Sequence, residues 1–239
     1  MLHPADYFDL DDPEIAALFE GCTYVWQVLP LLAAHVARLA PERRVEGEVM
    51  PGAYVSDRAI VIAAGARVEP GAYVLGPAYI GPGAVVRHGA FVRENVIMLA
   101  GSILGHASEA KNSLFLPGAH APHFNYVGDS VLGHGVNLGA GTKLSNLTVI
   151  SEKDPVTGKR PTIILPWEGE SVDTGLAKMG AILGDGAQTG CNSVLNPGTL
   201  VGPRSLIYAN LSLRKGIYPA DTIIKLRQTT QEVARRQGR

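Results

Sequence analysis

The stretch "IAAGARVEPGAYVLGPAYIGPGAVVRHGAFV", residues 62–92, decides the fold. Stepping by six from Ile62 gives Val68, Val74, Ile80, Val86 and Val92, all aliphatic, and the series continues through Met98, Leu104, Ala110 and Leu116. Four residues after each stand Ala66, Ala72, Ala78, Ala84, Ala90, Val96, Ser102, Ser108, Leu114 and His120, most of them small. A helix repeats at 3.6 residues and a half-buried strand at 2, so a period of six fits neither. It fits short strands joined by tight corners, the hexapeptide pattern of a parallel β-helix. Three hexads make one triangular coil, which places residues eighteen apart on neighbouring coils, about 4.8 Å away. The branched residue points inward and the small one lies where the wall bends. A narrow interior also accounts for a composition with 46% hydrophobic residues but only 6% aromatic ones.

The period breaks twice. After Leu116 the phase moves to Leu132, Leu138 and Leu144, which reads as four residues ejected from the wall in a loop at 120–127. A polar excursion follows at 150–180, and the period resumes at Leu183, Thr189, Leu195, Val201, Ile207 and Leu213. Before Ile62, Val49 and Val55 run one residue out of phase. Residues 1–48 carry two short helical patterns, the second limited by Pro30, and are expected to close the open N-terminal end of the coil. The β-helix itself is expected over 49–216, with a C-terminal helix and basic tail over 217–239.

A formal net charge of −1 excludes a strong field toward nucleic acid or an anionic membrane. The two cysteines, Cys22 and Cys191, are expected to be reduced. No apolar run reaches the roughly 18 residues of a membrane span. The expectation is a cytoplasmic protein.

Arg93 and Lys111 lie eighteen apart, and each follows an inward position. They should stack on one face, pointing out. Two adjacent cations call for an anion; a phosphate is one candidate, and neutralisation by Glu94 or Glu109 is the other. His123, in the expected loop with Asn125 and Tyr126, has the chemistry of a general base near pH 7, or is an ordinary surface histidine. Asn137 and Asn146 have corner geometry as their simpler reading. His88 and His106 also stack at eighteen. With His134 or His120 they offer three imidazoles for zinc, as in hexapeptide carbonic anhydrases, though the closely spaced histidine pair of those enzymes is missing.

"GHASEAKNS" (105–113), "APHFNYVGDSVLG" (121–133) and "VNLGAGTKLSNL" (136–147) resemble the acetyltransferase domain of bifunctional glucosamine-1-phosphate N-acetyltransferase/N-acetylglucosamine-1-phosphate uridyltransferase and related sugar-phosphate nucleotidyltransferase-type proteins. The resemblance implies a left-handed β-helix assembled as a homotrimer. It implies that Arg93 and Lys111 hold a sugar-linked phosphate, His123 is the general base, Tyr126 and Asn137 position the sugar, and Asn146 and Lys178 lie toward acetyl-CoA. No metal is expected in such a site. The first 48 residues lack the uridyltransferase's nucleotide-binding loop, so the expected activity is acyl transfer to an amino-sugar phosphate or nucleotide amino sugar. The alternative is a non-catalytic sugar-nucleotide-binding partner of a separate nucleotidyltransferase.

Overall fold

In the computed structural model, which describes residues 2–227 and 229, the hexads build the three-sided parallel β-solenoid that the period calls for, of the left-handed β-helix class that the resemblance implies. The first face stacks nine strands, from Arg44–Val45 and Ile60–Ile62 through Val96–Met98, Ser113–Phe115 and Val131–Leu132 to Gly216–Tyr218. The second face stacks nine more, among them Val85–Val86, Ile103–His106, His120–His123 and Asn137–Leu138. The third stacks eight, including Tyr73–Val74, Phe91–Val92, Glu109–Lys111, Tyr126–Gly128 and Lys143–Leu144. All pairings between coils are parallel, and the aliphatic columns fill the interior as one continuous core.

The phase shift has a different cause from the expected one. The inward series runs unbroken to Ala110 and then takes Phe115, Ala121, Val127, Leu132, Leu138 and Leu144. Two steps of five replace two steps of six, so coils there close in seventeen residues: Val96 pairs with Ser113, and Leu114 with Val131. Both short steps fall at the corner between the third and first faces. Asn112 (φ 45°) and Asp129 (φ 46°) turn that corner in the left-handed region that Asn and Asp tolerate. Nothing is ejected at 120–127. His120–His123 and Tyr126–Gly128 are strands of the wall, and Leu116 packs outside the core that Phe115 enters.

The solenoid also extends past both expected ends, starting at Arg44 and including Gly216–Tyr218 and Ile223–Ile224. Residues 217–224 are therefore strand and turn instead of helix. The remainder of the expected C-terminal helix, apart from 225–227 and 229, lies outside the described residues.

The N-terminal segment forms short 3-10 and α-helical turns at Pro4–Asp6, Pro13–Ala16, Val25–Leu31 and Leu32–Leu39. These do not lie over the end of the coil. They lie along the outside of the first face, where Val25, Val28, Leu32 and Val36 join Val61, Ile97, Leu114 and Val131 in a second apolar cluster. The excursion covers the rest of that face. Its antiparallel hairpin, Ile164–Trp167 with Glu170–Asp173, brings Leu165 into the same cluster as Ile182, Leu200 and Ile217. First-face strands are thus buried on both sides, which is why they read as unbroken apolar triplets such as Ile60–Ile62 and Val96–Met98. Asp185 ties the cover down, accepting from the backbone N–H groups of Asp9 (2.7 Å) and His134 (2.7 Å).

Candidate active site

On the third face, strand alternation sends one residue in and its neighbours out. The outward column reads Tyr54, Tyr73, Phe91, Glu109, Tyr126 and Lys143. Beyond the inward residue, at the corner with the first face, Arg93 and Lys111 lie on successive coils, with Gly128 opposite Lys111. The stacking expected from their spacing holds.

What lies between the two cations is protein. The Arg93 guanidinium donates from Nη1 to Glu109 Oε1 at 2.9 Å, and its Nε lies 3.6 Å from Glu94. Lys111 Nζ lies 3.6 Å from the other oxygen of Glu94. Glu94 therefore bridges both cations, and the neutralised pair is the arrangement seen. The hydrogen bond that Arg93 donates to Glu109, and the charges of Glu94 and Glu109, raise the Arg93 pKa further.

Next to the cations is a polar chain that joins the expected Tyr126 and Asn146 to two residues that sequence reasoning missed, Asn112 and Asp129. Asp129, nearly buried, accepts from Asn112 Nδ2 at 2.9 Å and from Asn146 Nδ2 through a short hydrogen bond. The Asn146 side chain also lies beside the Tyr126 phenol, both next to Gly128. Burial pushes the Tyr126 pKa up, Glu109 and Asp129 add to this, and Arg93 and Asn146 oppose it, so the phenol stays protonated near neutrality. Gly128 gives the tyrosine its room: a Cβ there would stand 2.7 Å from Tyr126 Oη and 2.9 Å from Asn146 Nδ2. The one trace of this polar chain in the sequence is a pair of Asx residues, Asn112 and Asp129, seventeen apart where the period runs at eighteen; it marks a corner but not the clamp.

Arg93, Lys111, Tyr126 and Asn146 are thus brought together. His123 is on the same coil as Tyr126 but at the opposite corner of the third face, exposed to solvent. Its backbone is fixed by Asn125, which is not part of any outcrop. Asn125 is buried, accepts from His123 N at 2.9 Å and donates to Gly139 O at 2.8 Å. Asn137 lies around the corner on the second face, paired with His120 and Gln188, and does not join the cluster. Lys178 is exposed where the excursion rejoins the wall, next to Met179, whose N–H donates to Asn146 O at 3.1 Å. A groove of about 620 Å³ continues from there along Ser145, Thr148, Asn196, Ser212, Arg214 and Lys215.

His88 and His106 stack as their spacing requires, with ring centroids 5.4 Å apart and planes at 7°. Phe124, not a third imidazole, continues their column. Each ring also has its Nδ1 against a backbone carbonyl, Pro70 O for His88 and His88 O for His106. Among the described residues no group of three or more His, Cys, Asp or Glu is arranged to hold a metal, and no helix is long and apolar enough to cross a membrane.

A hexapeptide solenoid with a polar corner of two cations, a phenol and an asparagine defines the class. Within it, the chain is similar to bifunctional enzymes of sugar-phosphate metabolism. It is 34% identical over 62% of its length to a bifunctional GlmU protein of Methanococcus vannielii. It is 31% identical over 66% to a bifunctional sugar-1-phosphate nucleotidylyltransferase/acetyltransferase of Sulfurisphaera tokodaii, and 33% identical over 72% to a GlmU protein of Nitratidesulfovibrio vulgaris. The matched region is 32%, 37% and 32% of those proteins, so the chain spans about a third of the length of the curated relatives it matches. No family model matches. Among solved structures, the acetyltransferase domain of PglB from Neisseria gonorrhoeae aligns over 71% of this chain and 58% of its own, with 16% identity and a TM-score of 0.35, too distant to inform the site.

Proposed function

We propose that the protein is an acyl-CoA-dependent N-acetyltransferase whose acceptor is an amino sugar carrying a phosphate, either a sugar phosphate or a nucleotide amino sugar. The observation that carries this reading is the convergence of Arg93, Lys111, Tyr126 and Asn146 on one corner, on the coil that bears His123 and the coils beside it. The similarity to sugar-phosphate enzymes supports it.

In this reading Arg93 and Lys111 anchor the phosphate and Tyr126 orients the sugar, while Asn137, on the second face, contributes from a neighbouring chain of the trimer. His123 takes a proton from the acceptor amine as its nitrogen attacks the thioester carbonyl. The C–N bond forms, the C–S bond breaks, and the thiolate leaves to be protonated as free CoA. An asparagine amide or backbone N–H stabilises the oxyanion. A thioester is already a good acyl donor, so placement and one base suffice. The CoA moiety runs past Asn146 and Lys178 into the groove toward Arg214 and Lys215. Three chains form the working unit; the exposed, mutually packed Tyr54 and Tyr73 give an uncovered stripe for subunit contact.

The test is acetyl transfer from acetyl-CoA to glucosamine 1-phosphate and to UDP-glucosamine, read by free thiol release. His123→Ala should lower turnover by roughly 10²-fold or more while acceptor affinity holds. Binding of a sugar nucleotide with no turnover would instead establish the non-catalytic alternative.

A further inference from the structure

The carboxylate of Glu94 occupies the position that an anion shared by Arg93 and Lys111 would take. It is there because this corner is longer than the next two. After Val92 the chain runs Arg93, Glu94 and then left-handed Asn95, whereas Lys111 and Gly128 are followed directly by left-handed Asn112 and Asp129. The extra residue hangs its carboxylate over the next coil.

The four charged side chains are about two-thirds or more buried, at 33% (Arg93), 32% (Glu94), 35% (Glu109) and 21% (Lys111) exposure. Bulk water and salt therefore screen them incompletely. Two positive and two negative charges leave the corner with none to spare, and Asp129 adds a further carboxylate close by. A phosphate monoester carries about −1.5 to −2 near pH 7; a phosphate esterified on both sides carries one charge. Either must displace Glu94 from the cations. Only the monoester then sets a second negative charge against the displaced Glu94 and the Glu109 that remains on Arg93.

We propose that Glu94 is a specificity-determining residue that selects an acceptor whose sugar-linked phosphate itself carries a single charge, as in a phosphodiester or in a nucleoside diphosphate sugar, where the second charge is on the next phosphate along, over a dianionic sugar monophosphate. This rests on the phosphate-anchoring reading of Arg93 and Lys111. Glu94 is a tethered competitor, and what displaces it depends on ligand charge.

The probes are glucosamine 1-phosphate and its methyl phosphodiester, which differ by one methyl group and one charge. Titration calorimetry on the full chain at fixed ionic strength compares wild type, Glu94→Gln and Glu94→Asp. Wild type should bind the diester about 10-fold tighter or more, as expected for a like-charge contact relieved. Glu94→Gln should tighten the monoester until the two lie within about 3-fold, and Glu94→Asp should keep the wild-type preference. A wild-type preference for the monoester, or a ratio unmoved by Glu94→Gln, overturns this role while leaving the phosphate anchor intact. Binding of neither probe to any of the three proteins overturns the anchor and this inference together.

Discussion

Asp129 is the residue on which the corner depends. Its carboxylate takes two amide donors, from Asn112 and Asn146, in a nearly buried position. Asp129→Ala takes away the acceptor shared by both amides, leaving Asn112 a long contact to Leu29 O at 3.5 Å, and should cost about 1–3 kcal/mol, read as a lowered urea midpoint. Gly128→Ala acts differently. Its added methyl meets flexible ends, Tyr126 Oη and Asn146 Nδ2, so the fold survives while the phenol shifts. The expected result is a small change in unfolding midpoint, within about 1 kcal/mol, with a raised acceptor KM. Lys111→Ala should mainly weaken acceptor binding, by about 1.5–3 kcal/mol for a lost charged hydrogen bond, seen as a higher Kd with little change in kcat. Stacking of Arg93 on Lys111 was legible because both sit where the period of eighteen still runs. Asp129 was not, because a corner Asp looks the same in sequence whether it turns the chain or clamps two amides.

At the scale of elements, Asp185 joins the solenoid to its outer cover. Burial pushes its pKa up, against the hydrogen bonds from the Asp9 and His134 backbone. The native state therefore holds this proton more tightly than the unfolded chain does. The stability it contributes is complete below about pH 3.9, the unfolded value, and is lost as pH rises through the higher native pKa. The difference in urea midpoint between wild type and Asp185→Asn should move against wild type across that window. Asp185→Ala should also speed hydrogen exchange in the segment around Tyr7 and Asp9, because the carboxylate that fixes the Asp9 N–H is gone. The cover itself escaped sequence reading. In an apolar triplet such as Ile60–Ile62 the period of six marks an inward residue, and it carries no information on what the outward middle residue, Val61, packs against. The short coils escaped for a related reason. Phe115 and Leu116 are both apolar, so the period passed from one to the other without a visible fault.

For the whole molecule, one face is clad and, among the described residues, the other two are bare. Removing residues 1–40 would uncover Ile97, Leu114 and Val131, all fully buried, as one strip along the solenoid. Such a truncated chain should aggregate on expression, measured as loss of the soluble fraction, because contiguous apolar patches of this kind seldom stay in water. The proposed trimer predicts a light-scattering mass of three times the chain's 25.3 kDa.

The excursion leaves the wall after Asn146 and returns at Met179, where Met179 N bonds Asn146 O and Gly180 N bonds Asp129 O. Val131 accordingly pairs with Ile182 across fifty-one positions without any coil being added or skipped. Departure and return are one hydrogen bond apart, which makes 147–178 a cassette. Its length can change, or a foreign segment can be spliced in, without rotating a single column of the scaffold, provided the replacement still roofs Leu200 and Ile217.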